Sequence, residues 1–334
     1  MMTAILIVSG LILLYVGGES LVRGSVSIAR RFGLSELIIG LTLIGFGTSL
    51  PELVTSLRAL SADAVGLSVG NVIGSNIANV LLVLGAAAVV APIIISPRSL
   101  VRDGTCMVLA TIALILVLHL DMFTRPVGIA MFSMLLLYLI GSIILDHRQN
   151  GAVGALHGEE ASLVEAEDPL WWAIIITVAG IAGVVFGARL LVDGGTIAAR
   201  SLGVSETVIG ISVLAIGTSL PELVTSLVAA RKGKVDVALG NVLGSNIFNI
   251  LSILGLSAII YPFSVMVDMG GPTGSVSLVA SMDILVLVLS VLLLGFFTFV
   301  RGRIGRLEGL AFLIGYGLYV AVRYGLVPGF GVAA

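Results

Sequence analysis

Apolar residues fill most of the chain in long runs that polar residues interrupt only briefly. A helix that crosses a bilayer needs about 20 apolar residues, and ten runs meet that requirement. They cover residues 3–22, 35–60, 65–91, 103–121, 126–145, 170–190, 205–230, 236–261, 282–300 and 307–325. The polar stretch 146–168 is typical of a flexible, solvated linker. The pattern predicts an all-α polytopic membrane protein with two five-helix halves, residues 1–145 and 170–334, joined by a linker at 146–169.

The composition agrees with this class and excludes others. Apolar residues make up 58% of the 334 and charged residues only 11%, whereas soluble domains carry about 25% charged residues. The net charge of −2 and the scattered basic residues give no reason to expect a nucleic-acid partner. The single cysteine, Cys106, lies in an apolar run, so it offers neither a disulfide nor a cysteine metal site.

The chain repeats itself with a shift of 170 residues. The sequence GTSLPELVTSL occurs at 47–57 and again at 217–227, and GNVIGSNIAN at 70–79 returns as GNVLGSNIFN at 240–249. Each half contains five predicted spans. An odd number of spans makes the second half enter the membrane from the opposite side, which gives an inverted repeat of the kind that secondary transporters use.

The basic residues predict the orientation. With the N-terminus outside, 12 of the 17 Lys and Arg residues fall on the inner side of the membrane, and such a bias marks the cytoplasmic face. The first run has no basic n-region and no small-residue cleavage signal, so it reads as a retained helix. We therefore expect a protein of the cell membrane with both termini outside and a cytoplasmic linker.

The first repeated motif breaks a helix around a carboxylate. A proline inside a helix leaves the carbonyl four residues earlier without its partner, so Pro51 frees the oxygen of Gly47 and Pro221 that of Gly217. Such oxygens persist at membrane depth only where they face protein or water. Thr48, Ser49 and Glu52 add side-chain oxygens to the first break. Their repeat equivalents are Thr218, Ser219 and Glu222.

These oxygens favour a cation site. A carboxylate at the bilayer centre costs at least about 2.5–3.5 kcal/mol on insertion scales and usually marks a functional site. The nearest basic residues, Arg58 and Arg231, lie at the helix ends, so neither glutamate has an obvious ion-pair partner. Two carboxylates among hydroxyls suit Ca²⁺, Na⁺ or similar hard cations. One Ca²⁺ would neutralise Glu52 and Glu222, and Na⁺ entering the same oxygens would compete with it.

The second repeated motif places polar residues on one helix face. Asn71, Ser75 and Asn79 are spaced four apart, as are Asn241, Ser245 and Asn249, so each set forms one stripe. Glycines at 70, 74, 240 and 244 allow close helix contact, which would press the stripes against the broken helices. We expect Asn76 and Asn246 to form interhelical hydrogen bonds. Asn71 and Asn241 suit either that role or ion binding.

The motif pair GTSLPE and GNxxGSNxxN, each present twice, resembles the alpha-repeats of the calcium/cation antiporter superfamily. The likeness extends over residues 17–92 and 187–262 and is greatest to the prokaryotic sodium/calcium exchangers. It implies ten helices in two inverted repeats, exchange of several Na⁺ for one Ca²⁺ with net charge movement, and a central site. The first and sixth helices would slide to alternate access. The ligands it implies are Glu52, Glu222, Thr48, Ser49, Thr218, Ser219, Ser75, Asn79, Ser245, Asn249 and the carbonyls of Gly45 and Ala215.

Other functions remain open at this point. A proton/calcium exchanger of the same superfamily would use the glutamates to carry H⁺, although the many hydroxyls favour Na⁺. A cation channel is less compatible with paired sites at one depth. An intramembrane hydrolase would need a histidine or aspartate near the motifs, and the sequence has neither there. We therefore expect a transporter that is not an enzyme, with Ca²⁺ and Na⁺ as substrates, the bilayer as its surroundings, no cofactor and no obligate protein partner.

Overall fold

The computed structural model describes residues 2–94, 97–154, 169–202, 217–268, 275–277 and 279–323. Nearly all of them lie in helices. In chain order the helices are α1 (Met2–Arg31), α2 (Glu36–Thr48), α3 (Leu50–Ser61), α4 (Val65–Val90), α5 (Pro97–His119), α6 (Arg125–Gly154), α7 (Leu170–Ser201), α8 (Leu220–Arg231), α9 (Val235–Ile260), α10 (Ser281–Arg301) and α11 (Arg306–Arg323).

Two short antiparallel strand pairs join the helix ends. Strand β1 (Ile93–Ile94) pairs with β4 (Arg303–Ile304), and β2 (Met266–Asp268) pairs with β3 (Ser275–Ser277). The sequence pattern did not predict them. They are only two or three residues long, which is too short to leave a period-2 signal.

Six helices in the described ranges are long and apolar enough to cross a membrane, namely α1, α4, α5, α6, α7 and α9. The bent pair α2–α3 gives a seventh if it is counted as one span. The first part of the seventh predicted run, 205–230, lies outside the described residues, which resume at Gly217. The prediction of a helical membrane protein is therefore confirmed.

Several helices extend beyond their predicted ends. Helix α6 reaches Gly154, whereas the apolar run ends at 145. Within the extension Asp146 is buried, and its carboxylate accepts hydrogen bonds from the Ser35 N–H at 2.7 Å and the Ser35 hydroxyl at 2.8 Å. The first residue of the predicted linker thus holds the start of α2 in place.

A seam of glycines joins α1 to α7. The seam has a spacing of seven residues in both helices, at Gly10, Gly17 and Gly24 and at Gly180, Gly187 and Gly194. A methyl group built on Gly10 would lie 2.9 Å from the Gly187 carbonyl oxygen, and one on Gly24 would lie 2.8 Å from that of Ala173. Rising residue numbers in α1 meet falling numbers in α7, so the two helices pack antiparallel with their backbones in contact.

The central helices cross between the halves. Helix α2 packs directly on α9, where a methyl group on Gly40 would lie 2.5 Å from the Val237 carbonyl oxygen. Methyl groups on Gly240 and Gly244 would overlap the carbonyl oxygens of Leu37 and Leu41. This close approach brings the broken helix of the first half against the polar stripe of the second.

Candidate cation-binding site

Both glutamates lie just after a break in a helix. Ser49 separates α2 from α3 with φ −83° and ψ 3°, and the two helix axes differ by 41°. Pro51 is in the first turn of α3, where its missing N–H is not needed, and Glu52 follows it fully buried. Ser219 has nearly the same backbone angles before Pro221, and Glu222 is also fully buried. The predicted breaks are therefore present at both motifs.

The two motifs meet across the halves. The Ser49 hydroxyl donates a hydrogen bond to Oε1 of Glu222 at 3.3 Å. The Thr48 hydroxyl lies 3.2 Å from Oδ1 of Asn241 in the other half, and the charge on Glu222 repels that on Glu52. The two negative charges therefore share one buried region.

The polar stripes complete this region. Nδ2 of Asn249 donates to the Ser75 hydroxyl at 3.0 Å, and Ser75 donates to the Val72 carbonyl at 3.1 Å. From the other stripe, the Ser245 hydroxyl donates to the Gly45 carbonyl at 3.4 Å. These bonds link α4 to α9 and α9 to α2, so the second stripe faces the first broken helix as predicted. The prediction of close helix contact at Gly70 and Gly74 was wrong, because no described atom lies within 4 Å of a methyl group at either position.

Several buried oxygens of the region have no hydrogen-bond partner among the described residues. They belong to the predicted site: Glu52 Oε1 and Oε2, Asn79 Oδ1, Ser219 Oγ, Glu222 Oε2 and Asn249 Oδ1. Leaving a buried polar group unpaired costs about 1–3 kcal/mol, and more when it is charged. An unpaired set of carboxylate, amide and hydroxyl oxygens matches the ligands that hard cations prefer.

The remaining predicted ligands lie in the same motifs. The Thr48 hydroxyl is within 3.1 Å of the Ile44 carbonyl and 3.2 Å of Oδ1 of Asn241. Thr218 is half-buried beside the second break. Ala215 lies outside the described residues.

The first asparagine of each stripe holds the glutamate-bearing helix. Nδ2 of Asn71 donates to the Glu52 carbonyl at 3.2 Å and to the Ser56 hydroxyl at 3.0 Å. Asn241 repeats the arrangement with the Glu222 carbonyl at 3.3 Å and Ser226 at 2.9 Å. Of the two roles that the sequence left open, the structure shows interhelical hydrogen bonding.

The second asparagines differ between the halves. Asn246 accepts a hydrogen bond from Nδ2 of Asn79 at 3.5 Å, as expected. Neither polar atom of the buried Asn76 has a partner among the described residues, so the prediction for Asn76 was wrong. The reason is that Asn249, the equivalent of Asn79, donates to Ser75 instead.

Two features of the region escaped the sequence analysis. The turns Asn79–Leu84 and Asn249–Leu254 are π-helical, and each begins at the last asparagine of a stripe. Single π-helical turns are frequent at functional sites because the extra residue re-aims the neighbouring side chains. The only signal was a glycine six residues after each asparagine, at Gly85 and Gly255.

A pair of aspartate–tyrosine contacts was also missed. The Tyr138 hydroxyl donates to the buried Asp103 carboxylate at 2.9 Å, and the Tyr319 hydroxyl donates to Asp283 at 3.0 Å. Arg102 and Arg323 pair with the same two carboxylates. These clusters join α5 to α6 and α10 to α11. Their equivalence was hidden because the spacing between the halves is about ten residues longer here than the 170 of the central motifs.

Comparisons with known proteins identify the family. The sodium/calcium exchanger protein family model matches residues 2–144 and 172–325. The putative antiporter CaxA of Alkalimonas amylolytica is 36% identical over 95% of this chain and 97% of its own length. The sodium/calcium exchanger MaX1 of Methanosarcina acetivorans is 32% identical, covering 96% and 98% of the two chains.

The fold agrees as well. A solved structure of the sodium-calcium exchanger NCX_Mj, soaked with Na⁺ and Sr²⁺, superimposes with a TM-score of 0.79 at 33% identity and covers 96% of this chain and 98% of its own. The match extends over nearly the whole length of both proteins, and the family consists of ion antiporters of the membrane. The chain therefore belongs to the sodium/calcium exchanger protein family.

Proposed function

We propose that the protein exchanges Na⁺ for Ca²⁺ across the cell membrane, as an electrogenic antiporter with one central site. The observation that carries this proposal is the meeting of two buried glutamates from opposite halves. Their unpaired carboxylate oxygens adjoin unpaired amide and hydroxyl oxygens, and neither carboxylate has a Lys or Arg partner among the described residues. Such a site has a charge of −2 that one Ca²⁺ balances.

Competition for shared oxygens would couple the two ion flows. When several Na⁺ ions occupy the hydroxyl, amide and carbonyl oxygens around the glutamates, Ca²⁺ loses its ligands and leaves. Binding energy alone carries out this exchange, so no covalent step and no cofactor are needed. More than two Na⁺ for each Ca²⁺ would move net charge and make the rate depend on membrane potential.

The packing of α1 and α7 supports an inverted repeat. A methyl group on Gly17 would lie 2.7 Å from the Val184 nitrogen, and one on Gly187 would lie 2.7 Å from the Leu14 nitrogen. The shift of 170 residues converts the first contact into the second. Because the two helices are antiparallel, a two-fold rotation about an axis in the membrane plane exchanges them.

A second pair of contacts supports the same symmetry. A methyl group on Gly85 of α4 would lie 3.0 Å from the Gly309 carbonyl oxygen of α11, and one on Gly255 of α9 would lie 3.2 Å from that of Gly128 in α6. The last helix of each half thus packs on a central helix of the other half. These contacts and the ten apolar runs of the sequence support an arrangement of ten spans.

The test is ⁴⁵Ca²⁺ uptake into proteoliposomes with gradients of Na⁺, H⁺ or K⁺ imposed in turn. Vesicles loaded with Na⁺ should accumulate Ca²⁺, and an imposed membrane potential should change the rate. Uptake driven by H⁺ and indifferent to Na⁺ would identify a proton/calcium exchanger instead. Ca²⁺ flux that needs no counter-ion would identify a channel.

We expect exchange to be independent of K⁺. The resemblance implies that potassium-dependent members of the superfamily, and some other prokaryotic members, carry an aspartate where this chain has Asn249. An amide supplies a neutral oxygen that leaves the site at −2. Asn249→Asp should add a charge and make uptake more sensitive to pH between about 5 and 8. The variant Asn79→Asp tests the equivalent position of the other stripe. Ca²⁺ uptake by the unmodified protein that requires K⁺ would contradict this prediction.

We also expect both termini outside and the 146–169 segment in the cytoplasm. In intact cells a membrane-impermeant thiol reagent should label Ala334→Cys and spare Gly158→Cys. The native Cys106 is buried and should contribute little background, which the unmodified protein measures. Labelling of Gly158→Cys alone would reverse the orientation without affecting the site.

A further inference from the structure

A charged residue of α1 is tied to the far end of α8. Glu19 is the one acidic residue of α1, and its Oε1 is 2.8 Å from Nζ of Lys232, the residue that follows α8. About two fifths of the Glu19 side chain is exposed. The pair therefore joins the α1–α7 unit to the part of the protein that contains the glutamates.

The α1–α7 unit covers the two halves unequally. Gly18 of α1 packs on α8, where its methyl position is 3.3 Å from the side chains of Val224 and Val228. The equivalents of these valines on α3 are Val54, which is 47% exposed, and Arg58, which is exposed too. In the described part of the chain α1 thus covers the second broken helix and leaves the same surface of the first one open.

The repeat predicts the contacts of the opposite arrangement. The residue 170 positions after Glu19 is Arg189. The residue 170 positions before Lys232 is Ala62, which is followed by Asp63. Arg189 is 76% exposed and lies 4.0 Å from Asp193 of its own helix. Asp63 is exposed, has a φ of 56°, and its carboxylate has no hydrogen bond or ion pair in the described residues. Both members of a second pair are therefore present, with their signs exchanged.

We propose that Glu19–Lys232 and Arg189–Asp63 are alternative latches that hold the α1–α7 unit in two positions, each opening the ion site to one side. This proposal rests on the proposed exchange by alternating access. In the first pair the acidic residue, Glu19, belongs to α1, which moves. In the second pair the acidic residue, Asp63, belongs to the loop after α3, which stays fixed. Because of that reversal Glu19 does not attract Asp63 and Arg189 does not attract Lys232, so neither latch can form with the wrong partner.

Each latch should bias the equilibrium without locking it. Ion pairs exposed to this degree contribute little free energy, so losing one should change the ratio of the two positions by about two- to fivefold. A transporter that must visit both positions in every cycle needs such weak contacts. Removing one latch should favour the other position, so the two variants should act in opposite directions.

Disulfide cross-linking tests the second contact directly. In a Cys106→Ala background, Ala62→Cys with Arg189→Cys should cross-link under oxidation, block Ca²⁺ uptake and recover on reduction. Glu19→Cys with Lys232→Cys should do the same, and ion conditions that increase one cross-link should decrease the other. A 62–189 pair that never cross-links in a protein that transports Ca²⁺ would overturn the latch proposal and leave the function standing.

Charge variants test whether the pairing is electrostatic. Lys232→Gln and Asp63→Asn should change the apparent Ca²⁺ affinity measured from a given side in opposite directions, and the charge-conserving Lys232→Arg should keep the original value. The control is Lys234→Gln, which breaks the 2.5 Å pair with Glu36 between α2 and α9 and should shift neither position. Equal effects of Lys232→Gln and Asp63→Asn, or the same change in Lys232→Arg as in Lys232→Gln, would contradict the proposal. Loss of all Na⁺-driven uptake in the unmodified protein would instead refute the proposed function.

Discussion

Glu52→Gln should abolish Na⁺-driven Ca²⁺ uptake while the protein still folds. Glutamine keeps the size of the side chain and removes one of the two charges that would balance Ca²⁺. Removing one partner of a buried charge pair costs about 3–5 kcal/mol, which corresponds to an affinity lower by at least about 100-fold. Glu222→Gln should have the same effect, because the Glu222 carboxylate is part of the same region and accepts a hydrogen bond from the Ser49 hydroxyl of the opposite half.

The matched control is Glu36→Gln at the start of the same broken helix. Glu36 is partly exposed and pairs with Lys234, so its loss should change Ca²⁺ affinity little. Uptake and the thermal stability of the purified protein in detergent would be measured for all three variants. Near-normal uptake by either site variant would remove that glutamate from the ion path, and loss of the folded protein in both would leave Ca²⁺ binding to be tested with Glu→Asp changes.

Gly244→Ala should destabilise the protein and strongly reduce transport. A methyl group at this position would overlap the Leu41 carbonyl oxygen and come within 2.7 Å of its Cα, and neither backbone atom can move without displacing α2. Overpacking of this kind costs about 1–3 kcal/mol. Displacing α2 from α9 would also separate Ser245 from the Gly45 carbonyl and Ser49 from Glu222.

Gly317→Ala in α11 provides the comparison. No described atom lies within 4 Å of a methyl group at this position, and alanine favours a helix over glycine by about 1 kcal/mol. Thermal unfolding in detergent should therefore show a lower midpoint for Gly244→Ala and an unchanged or higher one for Gly317→Ala. Equal midpoints would show that the α2–α9 contact is looser than its geometry implies.

The sequence by itself determined the class of protein and the two motifs that carry its buried glutamates. Hydrocarbon cannot satisfy backbone hydrogen bonds, so long apolar runs in a chain of this composition have to be helices. A proline that removes a backbone bond breaks its helix wherever that helix lies, so the breaks before Glu52 and Glu222 followed from local covalent structure. The cost of burying a carboxylate is equally local, and it singled out these two residues among 334.

Only the tertiary structure decided which partners meet. Asn71 and Asn241 hold the helices that carry the glutamates. Asn76 lacks the interhelical hydrogen bond that Asn246 makes, because the choice of donor depends on distances across the interface between the halves. Helices α1 and α7 pack with their backbones in contact along the glycine seam. Asp146 is fixed because its carboxylate accepts hydrogen bonds from the N–H and hydroxyl of Ser35. The contacts of Asn71 and Asn241 join residues 15 and 19 positions apart, and that of Asp146 with Ser35 joins residues 111 apart. Each residue's preferences along the chain do not specify which distant group it will reach.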